Sequence, residues 1–353
     1  MNVTFASNAS ASLCEDVVYF AAMAAVHSVT FAINFVTALA IWRLPDLEEN
    51  RYHLVVRTLI LSDCFIPLSG LPMSVASFLN CGWVGGQVSC TLSAFFSTAF
   101  LSWSALIVVI MCALRFLAVT KPLFYRNQVT YTRVRMILFI ALVWGCSHLV
   151  LPIVGLGKFR LHARGLYCAL DITPSKPHDR TLVYMTIVEG CLVVVALVYF
   201  SAGIVLTVKK KRRVSSTLSL QQQRGAGIEK IMRQHGGFAA MTSTIVVLYW
   251  FCFVPFLSYR IWLVYWGESR LNEDVYYVTE LIAHVNPLLN PLVFVACSRQ
   301  YRSCINKLFI RVCVHKCTLL MPQAITETYG DMGGGIEMRK MSALSTKTDI
   351  VMI

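Results

Sequence analysis

Six polar or amphipathic side chains stand inside runs that are otherwise almost wholly apolar: Asn34, Asp63, Arg115, Trp144, Asn286 and Asn290. Such groups can hydrogen-bond across a helix interface, hold a small cation or act as a charged switch. Arg115 is the sharpest case. The stretch from Thr91 to Leu114 has no charge, then comes Arg115, a short apolar turn and Lys121-Pro122. A guanidinium there can anchor at the headgroups along its own stem, or offer its fork of donors to a partner's backbone carbonyls. No nucleophile–base set, phosphate-binding glycine loop or metal-ligand spacing appears, so the chemistry is recognition rather than catalysis.

The elements that carry these residues follow from composition. Of 353 residues, 57% are hydrophobic and 14% charged, with mean hydropathy +0.64; a soluble domain carries about 25% charged residues. Seven runs approach or exceed the roughly 20 residues a bilayer helix needs: 17–43, 54–79, 89–120, 134–156, 181–208, 238–265 and 275–297. Pro67, Pro152, Pro255 and Pro291 lie within them as expected kinks, tolerated where neighbours take up the freed carbonyls. The net charge of +13 sits between the runs. Lys121, Arg126, Arg133 and Arg135 face no acid. Lys209, Lys210, Lys211, Arg212, Arg213, Arg224, Lys230 and Arg233 face Glu229 alone. Both segments are expected in the cytoplasm, which puts the N-terminus outside and the tail inside. The mildly basic 157–180 segment runs against this rule. Sequons at Asn2 and Asn8 agree with an outer, glycosylated N-terminus.

In that order, the motifs resemble the rhodopsin-like G-protein-coupled receptors over about residues 17–317. I33-NFV-36 is similar to the first-helix signature and L61-SD-63 to the second. Cys90 stands at the family's spacing before Arg115, and Trp144 marks the fourth helix. C252-FVP-255 resembles the sixth-helix motif and N290-PLVF-294 the seventh. The resemblance implies an all-α, seven-helix membrane bundle at the plasma membrane. It makes Arg115, Phe253, Pro255, Asn290, Pro291 and Phe294 the coupling and switch residues for a heterotrimeric G protein. It also implies an allosteric sodium ion held by Asp63, Ser104, Asn286 and Asn290; a sodium-free hydrogen-bond network is the other reading. Leu114 replaces the family's acid beside the arginine, Phe253 its tryptophan and Phe294 its tyrosine. The missing carboxylate is expected to loosen the inactive state by about 0.5–2 kcal/mol, giving appreciable basal signalling.

For the ligand, the seventh run lacks the lysine a retinal Schiff base requires, and the third lacks an acid for an amine. Glu189 and Glu280 could serve an amine, but neither is at the family's position. W83-VGGQVSC-90, L151-PIVGLGKFRL-161 and G165-LYCALD-171 resemble the prostaglandin E receptors. That branch holds the ligand carboxylate with a seventh-helix arginine, and here the position is Leu281. Arg260 is the candidate substitute, approached by Lys158, Arg160 and Arg164, with His284, Trp83 and Tyr167 as further candidates.

The resemblance implies a Cys90–Cys168 disulfide; Cys14 with Cys81 is a second pairing that four connecting-segment cysteines allow. The expected organisation is an outer N-terminus over 1–16, the bundle over 17–297, an amphipathic juxtamembrane helix over 298–317 and a disordered tail over 318–353. Cys304, Cys313 and Cys317 are palmitoylation candidates. The phosphorylatable tail suits arrestin, and the terminal I350-VMI-353 suits a PDZ-type partner. The function expected is a receptor for a prostaglandin-type lipid. Alternatives are an orphan or constitutively active receptor for another lipid or peptide, and a seven-span channel, transporter or scaffold.

Overall fold

The computed structural model describes residues 17–42, 51–162, 167–174, 176–218 and 225–320. Among them, seven helices are long and apolar enough to cross a membrane: Val17–Trp42, Arg51–Leu79, Gly86–Thr120, Tyr131–Pro152, Arg180–Lys211, Met241–Trp266 and Glu273–Cys297. They are called the first to seventh spans. Their outward faces carry Phe139, Val195, Leu206 and Phe251, all more than half exposed. Those side chains would be misplaced in water and suit contact with lipid.

The third span is the axis. It packs against the second, fourth, fifth and sixth spans and against a short hairpin. Two buried clusters line it. One holds Ile107, Val108, Met111 and Leu114 with residues of the second, fifth and sixth spans. The other joins Cys90, Ala94 and Ala99 to the hairpin and to the sixth and seventh spans. The fifth and sixth spans meet closely at Gly190, where a Cβ would come within 3.0 Å of Leu257.

The hairpin was not foreseen in the 157–180 segment. β1 (Phe159–His162) pairs antiparallel with β2 (Tyr167–Leu170), Leu161 opposite Cys168. The chain reaches it through a 3-10 turn, His148–Val154, that ends the fourth span around Pro152. Gly155 and Gly157 follow with φ of 86° and 95°. A Cβ on Gly157 would stand 2.8 Å from Leu182, so glycine suits this turn both by conformation and by space. The Cys90–Cys168 disulfide, with Cα atoms 5.3 Å apart, ties β2 to the third span. Cys14, the expected partner of Cys81 in a second bridge, lies outside the described residues, as do Asn2 and Asn8.

The basic segment after the fifth span is largely helical. The fifth helix runs on to Leu218 and the sixth begins at Gly225. Lysine, arginine and glutamine are good helix formers, and a helix already nucleated in the membrane extends at little cost. After the seventh span comes the helix Arg299–Leu320. The chain divides into a bundle unit, Met1–Ile305, and a second unit, Asn306–Ile353; the described part of the second is the remainder of that helix.

Candidate functional site

At the hairpin end the spans surround a cavity open at its mouth, about 1200 Å³ with the open solvent there included. Apolar side chains such as Met23, Leu101, Val193, Phe253 and Phe256 line it, but its polar residues are what distinguish it. Arg260, 8% exposed, reaches in from the sixth span. Its Nη2 donates to Thr186 Oγ1 at 2.8 Å, its guanidinium lies 5.3 Å from the Phe256 ring centroid, and its Nε has no hydrogen-bond partner. Glu280 is 6% exposed and accepts a hydrogen bond from the Tyr167 hydroxyl on β2. Burial, and then the nearby Glu280 carboxylate, push that phenol well above its ordinary range, so it stays a donor. His284 hydrogen-bonds the Glu280 carbonyl through Nδ1, 2.9 Å away, and faces His27 across 5.1 Å.

Deeper in the cavity is a second polar group. Ser102 donates to Glu189 Oε1 at 2.7 Å, and His148 Nε2 lies 3.2 Å from Glu189 Oε2. The three bring together the third, fourth and fifth spans. His148, Glu189 and Val193 also line a groove between the fourth and fifth spans.

The hairpin closes over part of the cavity through a ring stack. His162 lies between Tyr167 and Tyr276, with centroids 5.3 and 5.2 Å away. Burial, with help from the positive charge of Arg160, lowers the His162 imidazole to about 3, so the stacked ring is neutral at ordinary pH.

Of the sequence-derived ligand candidates, Arg260, His284 and Tyr167 line the cavity. Leu281 and Trp83 do not. Glu280, one residue before Leu281, faces inward instead, and Trp83 caps its own loop by donating to Gly86 O and Ser89 Oγ, both at 3.0 Å. The expected basic approach is largely engaged elsewhere. Arg160 lies 3.6 Å from both Asp171 and Glu273, and Lys158 lies 4.0 Å from Asp179. Arg164 is outside the described residues. Tyr249, His148 and Ser102 were not singled out in sequence, and Glu280 was weighed there only as a counter-ion for an amine.

The middle of the bundle is polar. Asp63, fully buried, accepts from Ser104 at 2.6 Å and from Asn290 Nδ2 at 2.8 Å. Asn286 is buried nearby in sequence, with its Oδ1 unpartnered. The donor set is oxygen-rich and anionic, as a hard cation prefers. The direct bonds to Asp63 are those of the hydrogen-bond network. Asn34 has a separate role: its Nδ2 donates to the Thr30 and Pro287 carbonyls at 2.9 and 3.1 Å. Pro291, four residues beyond Pro287, has no N–H for that carbonyl, and Asn34 supplies the donor. Trp144 is 59% exposed on the outer face of the fourth span; the indole directed inward is Trp103, which donates to Leu138 O at 3.1 Å.

At the opposite end, Arg115 lies with its guanidinium carbon 3.6 Å from the centroid of the Tyr52 ring. Leu114 is packed in the core at 6% exposure. An aromatic face from the second span therefore stands against the arginine, a contact the sequence reading missed. Beside it, His53 Nδ1 and Tyr301 Oη are 2.7 Å apart, and Phe294 packs on the Tyr301 ring at 5.7 Å. Lys211 crosses from the fifth helix to the Val119 carbonyl at 2.7 Å. Cys304 is buried at 6% exposure, which withholds its thiol from acylation unless the helix turns. The side chains of Cys313 and Cys317 lie outside those described.

Residues 33–294 match the family described as 7 transmembrane receptor (rhodopsin family). The chain belongs to that family. It is similar to mouse opsin-3, 24% identical over 271 residues, covering 76% of this chain and 65% of that protein. It is similar to the Drosophila melanogaster protein trapped in endoderm-1, 22% identical over 318 residues, covering 82% and 77%. The rat pyroglutamylated RF-amide peptide receptor is 23% identical over 264 residues, covering 71% and 60%. The fold matches squid rhodopsin with a TM-score of 0.74 at 16% identity, covering 84% and 87% of the two chains. Family and fold are those of G-protein-coupled signalling receptors, which are not enzymes, and the protein is a multi-pass membrane protein.

Proposed function

We propose that this receptor sits in the plasma membrane with the hairpin end outside, takes a prostaglandin-type lipid acid into the cavity, and passes the signal to a heterotrimeric G protein at the Arg115 end. The observation that carries the ligand reading is Arg260. It is a buried guanidinium lining a largely apolar cavity, with a hydroxyl partner and no ion pair among the described residues. A carboxylate is the group that best complements a desolvated guanidinium, through charge-assisted, commonly bidentate hydrogen bonds. The apolar lining suits a lipid body.

Glu280 and Glu189 in the same cavity favour a second reading, a peptide or other cationic ligand. The similar proteins include opsins and a peptide receptor. The lack of lysine in the seventh span argues against a retinal Schiff base. On the first reading, the Asp63, Ser104, Asn286 and Asn290 oxygens would serve an allosteric sodium ion. Arrestin and a PDZ-type partner would meet the tail.

The experiment is a cyclic AMP and calcium measurement in cells expressing the receptor, with and without prostaglandin E, beside Arg260→Ala at equal surface expression. A response lost in the variant supports the anchor. A wild-type response kept in Arg260→Ala removes Arg260 as the anchor, and no wild-type response removes the prostaglandin E reading.

A further inference from the structure

An acid held at Arg260 leaves the floor of the cavity unexplained. Tyr249 lines that cavity, is 2% exposed, and its Oη meets no partner. Glu189 lines it as well. Of the roughly four lone-pair positions a carboxylate offers, Ser102 takes one on Oε1 and His148 approaches Oε2. Glu189 is three residues, about 4.5 Å of helix, beyond Thr186, the residue that holds Arg260. Apolar Phe253 and Phe256 line the same space. The cavity thus has two polar levels, a cationic one at Arg260 and a deeper one at Glu189 and Tyr249.

We propose that Glu189 and Tyr249 form a second subsite, for a hydroxyl group carried on the apolar body of the ligand. It rests on the reading of the cavity as a site for a prostaglandin-type lipid acid and deepens it by assigning the two residues that take a hydroxyl of that ligand. A hydroxyl is the group that fits because it can donate to Glu189 and accept from Tyr249 through one oxygen. A ketone or ether could satisfy Tyr249 alone, and an ammonium would donate without accepting. His148 Nε2 stands 3.2 Å from Oε2, and the carboxylate positions that remain accept a neutral hydroxyl donor. Without such a group, the Tyr249 hydroxyl bears the desolvation of a buried donor for nothing.

The test uses purified receptor in lipid nanodiscs and eight C20 probes: arachidonic acid, its three monohydroxylated derivatives with the hydroxyl at carbon 5, 12 or 15, and the methyl ester of each of these four acids. Affinity is read on wild type, Tyr249→Phe, Glu189→Gln and Arg260→Ala, with the ligand-free melting temperature of each variant as the folding control. Glu189→Gln retains an acceptor for Ser102. The expected result is that at least one hydroxylated acid binds wild type about tenfold tighter than the parent acid, about 1.4 kcal/mol. That preference falls below threefold in Tyr249→Phe and Glu189→Gln, while Arg260→Ala weakens all the acids and keeps the preference. A wild-type preference below threefold for every hydroxylated acid overturns the subsite, as does a preference unchanged in Tyr249→Phe. If no acid binds, the Arg260 reading fails and the esters decide alone. A hydroxy ester preferred over the plain ester, and only when Tyr249 is present, upholds the subsite; no such preference overturns it.

Discussion

Tyr52→Leu removes the aromatic face from Arg115 and should raise basal signalling. The ring lies 3.6 Å from the guanidinium carbon and is 6% exposed, which puts the contact toward the desolvated end of cation–π energies, about 1–2 kcal/mol. If Arg115 leaves Tyr52 when the bundle opens, losing that contact shifts the equilibrium toward the open state by about 5- to 30-fold. While the closed state dominates, basal nucleotide exchange rises in proportion. Tyr52→Phe is the matched control. It keeps the ring under the arginine but loses the hydroxyl's 3.5 Å contact with Met111 sulfur and its hydrogen bonds with Arg115 and Thr242, so its rise should be smaller and the excess in Tyr52→Leu reads the ring. The assay is guanine-nucleotide exchange on G protein in membranes with equal receptor density, beside the melting temperature of each variant. Unchanged exchange in Tyr52→Leu, or an equal rise in Tyr52→Phe, would remove the aromatic restraint from the account.

Three further outcomes follow from the geometry. The His162 imidazole is lowered to about 3 when folded and titrates near 6.5 when unfolded. Between those values the unfolded state binds more protons, so the hairpin is at full stability above about pH 6.5 and loses it as pH falls toward 3. Hydrogen exchange over residues 159–170 at pH 7.4 and 5.0, corrected for intrinsic rates, should show the loss, and His162→Phe should flatten it. Cys90→Ser opens a bridge spanning 78 residues; loop-closure entropy puts the cost at about 4–5 kcal/mol, visible as a large drop in melting temperature. Gly203→Ala would place a Cβ 2.4 Å from the Phe116 ring, an overpacking cost of about 1–3 kcal/mol that Phe116→Leu should largely relieve in a thermal-melt double-mutant cycle.

Hydropathy made the seven spans legible, because a bilayer helix must be about 20 apolar residues long whatever its neighbours. Motif order led to the Cys90–Cys168 bridge and placed Asp63 and Asn290 in separate helices that the fold brings into contact. The hairpin was hidden because four-residue strands of mixed polarity have no distinctive period. The helical extension through Lys209–Leu218 was hidden because its cations read as a solvated loop. At the site, Arg260 stood out as a charge within a span. Glu280 was recognised as a carboxylate but not as a cavity residue, since only the rotation of the seventh span decides which way it faces. Tyr52 was invisible for a different reason. Nothing in a tyrosine 63 positions before Arg115 signals that the second and third spans bring the two together. Leu114 was read as a lost carboxylate, but a ring supplied from another helix leaves no mark in the motif itself.

The most direct test of signalling through Arg115 needs no ligand. Nucleotide exchange on G protein would be measured with purified receptor in nanodiscs, comparing Tyr52→Leu with Tyr52→Leu/Arg115→Ala. The account predicts raised exchange in the single variant and a return to the receptor-free rate in the double variant, with both equally folded. Equal exchange in the two would contradict it.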